Sequence, residues 1–246
     1  ARLEGKAWAC LPGYKRQSNQ CNPVSNQASK STVASAPTQV EKTEGNEAVV
    51  VVKQAEALYI KGKYDQAFEV FLPLAMQGNA SAQFYLAELY QADKDGLDKK
   101  QATYWYHKSA SQGNPNAQYN LGNAYYDGEG VPTDLLKAAN WYELAAKNGV
   151  PEAQLNLGYM YSKGNGVGQD DRLATMWYMV AARRGSSKAQ SNLGFRYCQG
   201  RGIERDLERC AFWVKKALAQ GHPNAKKIWD AFKLEKHVRG PEKIIG

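Results

Sequence analysis

Three short segments carry the spacing of a phosphate-binding loop: "DGEGV" at 127–131, "KGNGVG" at 163–168 and "QGRGI" at 199–203. A Gly-x-Gly between a strand and a helix lets backbone N–H groups close on a phosphate. Each of these segments instead follows a stretch of helical periodicity, and the dinucleotide fingerprint requires the strand. Their recurrence at fixed spacing points to structure. Glycine supplies positive φ where a chain reverses between antiparallel helices. No cofactor is expected.

The other residues able to do chemistry are scattered. His107, His222 and His237 have no carboxylate or cysteine at ligand spacing. No H-E-x-x-H, G-x-S-x-G or Walker pattern occurs, so no metal and no catalytic residue are expected, and the chain does not read as an enzyme. His107, beside Trp105 and Tyr106, reads as a surface or packing residue. Asp134, Asp170, Asp171 and Asp206 recur at helix starts, which suits capping better than paired acid–base work. The four cysteines, at 10, 21, 198 and 210, form two local pairs and no Cys-x-x-Cys. Such spacing suits short-range disulfides in an oxidising compartment, with four free thiols as the alternative.

The elements that must position these residues are repeats. Residues 117–152, 153–188 and 189–224 are three units of 36 residues in register without gaps. Residues 82–116 form a variant one residue shorter, with "ADKDG" in place of the Gly-x-Gly. Residues 48–81 read as a shorter helix–turn–helix, with Gly62 and Tyr64 in its turn and Ala67 and Phe71 on its second helix. In the unit 117–152, Ala117, Leu121, Ala124 and Tyr125 fall on one helical face. Gly128 and Gly130 stop that helix, and Asp134 caps the next. Ala138, Trp141, Tyr142 and Ala145 form the second stripe, ended by Gly149. Small residues let the two helices approach, while Tyr125 and Trp141 fill the space between units. A lone helix pair cannot bury both faces, so units must stack. Residues 225–240, with Ile228, Trp229 and Phe232, are expected to cap the stack.

The edges differ. Residues 1–23 form a cysteine-containing segment with a Pro-Gly turn. Residues 24–47 are polar and aperiodic, the composition of a flexible linker. The chain begins at Ala1, and a removed signal peptide and a truncated chain both account for that. No apolar run is long enough to span a membrane. The formal net charge of +8 is carried entirely by residues 183–246. The basic residues there include Arg196, Arg201, Arg205, Arg209, Lys215, Lys216, Lys226 and Lys227. Such a patch suits an acidic protein or an anionic envelope surface. Without a recognisable nucleic-acid module, no nucleic acid is expected.

The pattern A-x-x-x-L-G-x-x-Y-x-x-G-x-G-V-x-x-D-x-x-x-A-x-x-W-Y-x-x-A-A-x-x-G resembles the Sel1-like repeat, a relative of the tetratricopeptide repeat. The resemblance covers 117–224 closely, 82–116 less so, and 48–80 only in the more general tetratricopeptide sense. It implies an all-α fold, a right-handed α-solenoid whose first helices line a concave groove, with a C-terminal capping helix and a flexible N-terminal segment. Residues 1–47 match no part of the pattern. Ala87 replaces the glycine of the Leu-Gly step, which puts the helix spacing of its unit in question.

The family groove, carried onto this chain, gives Phe84, Glu88 and Gln91; Tyr119, Asn123, Tyr126 and Asp127; Leu155, Tyr159, Ser162 and Lys163; and Ser191, Phe195 and Gln199. Tyr119, Tyr159 and Phe195 are the aromatic anchors among them; packing against the neighbouring unit is the alternative. Cys198 takes the place of Tyr126 at the end of a first helix and Cys210 that of Ala138 in a second, points the turn brings together. The pairs Cys10–Cys21 and Cys198–Cys210 are therefore expected. The resemblance implies a protein–protein adaptor of the bacterial cell envelope or of a secretion or assembly system, periplasmic or secreted, binding a partner protein or peptide. A secreted factor engaging host proteins and a cell-wall-active enzyme are the alternatives.

Overall fold

The structure is a computed structural model describing residues 14–17, 20–23, 39–92 and 99–238, with side chains from Val49 onward. Cys10, residues 24–38 of the expected linker, and the tail beyond Val238 lie outside the described residues. So does the Cys10–Cys21 pairing. The chain divides into two compact units, residues 1–69 and 70–246.

The first compact unit holds an antiparallel hairpin that the sequence did not announce. Strand β1 (Tyr14–Gln17) pairs with β2 (Gln20–Pro23), Tyr14 opposite Pro23 and Arg16 opposite Cys21. Helix α1 (Gln39–Ile60) then starts inside the segment expected to be a linker up to residue 47. Gly62, at φ 72°, turns the chain into α2 (Tyr64–Met76), and the rings of Tyr59 and Tyr64 meet at 5.4 Å across that turn.

The second compact unit begins within α2 and is an α-solenoid of stacked helix pairs. Its helices are α3 (Ala80–Gln91) with α4 (Lys99–Ser111), α5 (Pro115–Asp127) with α6 (Leu135–Lys147), α7 (Pro151–Lys163) with α8 (Asp171–Arg183), and α9 (Ser187–Gln199) with α10 (Leu207–Ala219). Helix α11 (Pro223–Ala231) and a 3-10 turn at Leu234–His237 pack on α10 and close the end, as a cap must. Leu234 is fully buried there. Units start two residues earlier than the sequence reading, because Asn79, Asn114 and Ser186 cap the first helices. Asp134, Asp170 and Asp206 cap the second helices, each accepting a backbone N–H of the first turn. Losing such a cap costs about 1 kcal/mol.

The two glycines of each turn do different work. Gly128, at φ 76°, is the left-handed residue ending α5, its N–H bonded to the Ala124 carbonyl. Gly130 packs on the first turn of the preceding unit's second helix, where a Cβ would stand 2.2 Å from the Lys99 carbonyl oxygen. Gly166 and Gly202 make the same approach to Leu135 and Asp171. The second glycine is therefore the stacking contact between units.

Close approach recurs inside each pair. A Cβ on Gly122 would lie 2.6 Å from the Tyr142 ring, and one on Gly158 2.9 Å from Tyr178. Ala87, the substitute for that glycine, is fully buried and the helix pair still forms. The large buried ring is Tyr142, 2% exposed; Trp141 is only half-buried and meets His107 of the preceding unit edge-on at 5.9 Å. A ladder of glutamines ties the units together. Gln83, Gln118, Gln154 and Gln190, all buried, each donate Nε2 to the carbonyl of Ala75, Ala110, Ala146 and Ala182 in turn.

Candidate functional site

The first-helix face carries a second ladder, built on one tyrosine per second helix. Tyr106, Tyr142 and Tyr178 occupy matching positions and reach back to their own first helix. The Tyr106 hydroxyl donates to Glu88 Oε1 at 2.5 Å and lies equally close to Gln91 Oε1. The Tyr142 hydroxyl donates to Asn123 Oδ1 at 2.6 Å. The next first helix adds an asparagine to each rung. Asn120 Nδ2 donates to Glu88 at 2.6 Å, and Asn156 and Asn192 stand near enough to the Tyr142 and Tyr178 phenols to favour their ionised forms. Burial pushes the Tyr142 phenol far above its ordinary range, opposed by Asn156 and reinforced by Tyr119, Asp127 and Tyr126. The group is thus a neutral hydrogen-bond donor and not a base. In the fifth unit Val214 takes the tyrosine's place, and the ladder ends.

Between the third and fourth units the ladder stands behind an open pocket of about 220 Å³, lined by Asn123, Tyr126, Asp127, Tyr142, Asn156 and Tyr159. The ring of Tyr142 is its floor, with Tyr119 and Tyr126 at 5.9 and 6.5 Å between centroids. Tyr159, 42% exposed, stands at its edge. A much smaller cleft between the second and third units includes Gln91, Lys99, Tyr106, Asn120 and Glu129.

The structure thus brings together Asn123, Tyr126, Asp127 and Tyr159 of the expected groove. Phe84 and Tyr119 are half-buried against Tyr106 and Tyr142. Glu88 is half-buried and engaged by Tyr106 and Asn120, and Leu155 packs into the C-terminal core. Gln91, Lys163 and Gln199 are exposed, and Ser162 bonds the Tyr159 carbonyl. Ser191 corrects the expectation: it is 1% exposed and lines nothing, because a serine in the place of Tyr119 is too short to reach the surface. Phe195 is exposed, yet Phe232 of the cap meets it edge-on at 6.1 Å. Sequence reasoning took Tyr142 for core and passed over Asn156. The signal was there, in a tyrosine and an asparagine recurring with the repeat.

The basic patch is less coherent than its composition. Arg196 is a correction, being 5% exposed and outside any surface patch. Its guanidinium donates to the Asp171 carboxylate at 2.9 Å and to Thr175 Oγ1, and lies over the Tyr178 ring. Arg201 shares Asp171, Arg209 pairs with Asp206 and Lys226 with Asp230. Arg205 donates to the Cys198 carbonyl, and Lys216 lies over Phe212 and Trp213. Lys215 and Lys227 are exposed. Asp171, expected as a cap, is instead the anchor of two arginines; burial works against its ionisation, but Arg196 and then Arg201 hold its carboxyl below the usual range. Cys198 and Cys210 form the expected disulfide, with Cα atoms 5.3 Å apart. No three His, Cys, Asp or Glu side chains among the described residues converge as a metal would need, and none of the described helices is long and apolar enough to cross a membrane.

Comparison with known proteins agrees with this architecture. The family model described as Sel1 repeat matches residues 80–114, 115–150, 151–186 and 187–222. Among solved structures, the chain is similar to a Sel1 repeat protein from Oxalobacter formigenes, with 29% identity, TM-score 0.69, and coverage of 76% of this chain and 78% of that one. It is also similar to c5321, described as a protective antigen present in uropathogenic Escherichia coli strains and displaying an SLR fold. That match has 31% identity and TM-score 0.70 over 81% of this chain, but spans only 44% of c5321. A sel1 repeat protein from Klebsiella pneumoniae shares the fold at 21% identity and TM-score 0.50, over 78% of this chain and 96% of that one. No curated protein matches.

Proposed function

The chain belongs to the Sel1 repeat family, whose repeats mediate protein–protein interaction, and from that premise we propose that it is a non-catalytic adaptor of the bacterial cell envelope or a secretion system. It holds a partner protein or an extended peptide along its first helices, in the groove that the family places there. The observation that carries this reading is the open pocket between the third and fourth units, where an exposed tyrosine and two asparagines surround a buried phenol. Aromatic and amide groups of this kind anchor a partner segment by contact area and hydrogen bonds without any chemical step. The Cys198–Cys210 bridge supports an exported setting, since disulfides persist in oxidising compartments. The description of c5321 as a protective antigen suits the same setting.

The test compares faces of one molecule. A photo-crosslinking residue at Tyr159 is expected to capture one stoichiometric partner from envelope extract. The same residue at Met176, exposed on a second helix, is expected to capture none. Tyr159→Ala, at an exposed position, should abolish co-purification while the melting temperature holds. Retention of the partner by that variant sinks the proposal.

A further inference from the structure

The pocket between the third and fourth units has a chemistry that narrows the partner, and the inference rests on the adaptor reading above. Of its six lining side chains, three are phenols, two are amides and one is a carboxylate; none is basic. The faces of aromatic rings carry the negative part of their quadrupole and attract cations. The Tyr142 phenol stays neutral, and its single proton is committed to Asn123. Tyr142, 2% exposed, therefore brings no charge of its own to the lining.

Asp127 adds the formal charge. It is exposed and is the last residue of α5. That end of a helix carries the negative pole of the macrodipole, so an acid there is unfavourable and a cation favourable. The matching residues of the other units are Ala92, Lys163 and Gln199, so the repeat itself does not require an acid. Carboxylate, helix end and ring faces superpose negative potential over one cavity.

The neighbouring rung shows that a ring of this ladder takes a cation. Tyr178 is the counterpart of Tyr142, and the fifth unit lays its own Arg196 over that ring, 5.4 Å from the centroid, with the Asp171 carboxylate at 2.9 Å. Cation, ring and carboxylate are there combined within the chain. At the rung before it, the residue matching Arg196 is the buried Met160, and no internal cation reaches the pocket lining.

We propose that the pocket formed by Tyr126, Tyr142, Tyr159 and Asp127 receives a lysine or arginine side chain presented by the partner. The ammonium or guanidinium sits between the ring faces and the Asp127 carboxylate, and the aliphatic stem lies against Tyr159. The partner segment is therefore basic at this point, opposite in charge to the acidic partner that overall composition suggests.

The test titrates the full chain, isotope-labelled, with Nα-acetyl-lysine methylamide, following the side-chain amide signals of Asn123 and Asn156 by NMR. The neutral isostere Nα-acetyl-norleucine methylamide and the acidic Nα-acetyl-glutamate methylamide serve as controls. The lysine probe is expected to shift both signals saturably and the controls to leave them in place. Asp127→Asn should weaken the lysine probe about threefold, and Tyr159→Leu about fivefold. Both sites are exposed, so unchanged melting temperatures are expected. Equal binding of the norleucine probe, preference for the glutamate probe, or no shift from the lysine probe at its highest soluble concentration overturns the proposal. If it is overturned while crosslinking from Tyr159 still captures a partner, the groove stands and only its chemistry falls. Should the lysine probe bind while crosslinking fails, the pocket stands and the adaptor reading falls.

Discussion

Between the third and fourth units Tyr142 stands behind an open pocket. At the matching place in the fifth unit stands Val214, with Phe195 met by Phe232 of the cap, Ser191 buried and Cys198 tied to Cys210. The two regions share one repeat plan, helix caps and turn glycines included. What differs is the set of positions that the plan leaves free. In the middle of the stack those positions carry phenols and amides that face an opening. At the end they carry a valine, a disulfide and a buried arginine, which close the structure. The fifth unit is covered by α11 and the 3-10 turn instead of by another helix pair of the repeat, and its free positions carry residues that suit that cover. The function is thus read from the middle units and the stability of the covered unit from its own residues.

The largest break in this comparison is at Arg196. Arg196→Ala empties a buried site and leaves Asp171 with Arg201 as its remaining partner; it is expected to cost about 3 kcal/mol, measured by chemical denaturation. Arg196→Met copies Met160 of the preceding unit; it removes the same charge but fills most of the volume, and should cost about 1 kcal/mol less than the alanine variant. If both variants cost the same, Arg196 holds the end through its ion pair and not through the volume it fills.

The disulfide comes next. Replacing Cys198 and Cys210 together by alanine removes a closure with a sequence separation of 12. The expected loss is about 3 kcal/mol. Lysine-probe binding in the middle pocket should not change. A loss of binding equal to that of Asp127→Asn would mean that the two regions are one cooperative site.

Acid separates the closing elements in two windows. Burial, and then the charge of Lys188, hold His222 below its usual 6.5. Its stabilising contribution is complete above that value and falls as the unfolded chain takes up a proton that the folded chain refuses. The Asp171 carboxyl is held below 3.8. Its contribution is complete above 3.8 and is lost as pH falls through the lower folded value. Stability followed downward from neutral pH should therefore fall in two steps. Asp171→Asn should flatten the lower step and leave the upper one.

The smallest effect has the opposite sign. Gln112 and Gln220 bridge to Gln83 and Gln190 of the glutamine ladder. Arg184, at the same position, donates to the Gly149 carbonyl instead, and Gln154 Oε1 is left buried without a partner. Arg184→Gln should satisfy that oxygen and raise stability by about 1 kcal/mol. A fall in melting temperature would show that the Gly149 contact matters more.

Much of this was legible in the sequence. The 36-residue register placed the helices, the aspartate caps and the Cys198–Cys210 bridge, because each depends on local spacing. The turn glycines were read as turns, but the packing of Gly130 on Lys99 was not, since it joins residues of different units. Arg196 was misread because a charge is ordinarily a surface feature, and its partner Asp171 lies in the preceding unit. The pocket was half legible. Tyr126, Asn123 and Tyr159 followed from the repeat, whereas Tyr142 looked like core because it is almost fully buried, although it also lines the pocket. The β1–β2 hairpin and the early start of α1 had no periodic signal to announce them.

The most direct measurement is crosslinking from three positions in parallel: Tyr159 at the open pocket, Phe195 at the capped end and Met176 on a second helix. The account predicts one partner captured from Tyr159, sharply less from Phe195 and none from Met176. Equal capture from all three positions, or capture from Met176 alone, would contradict it.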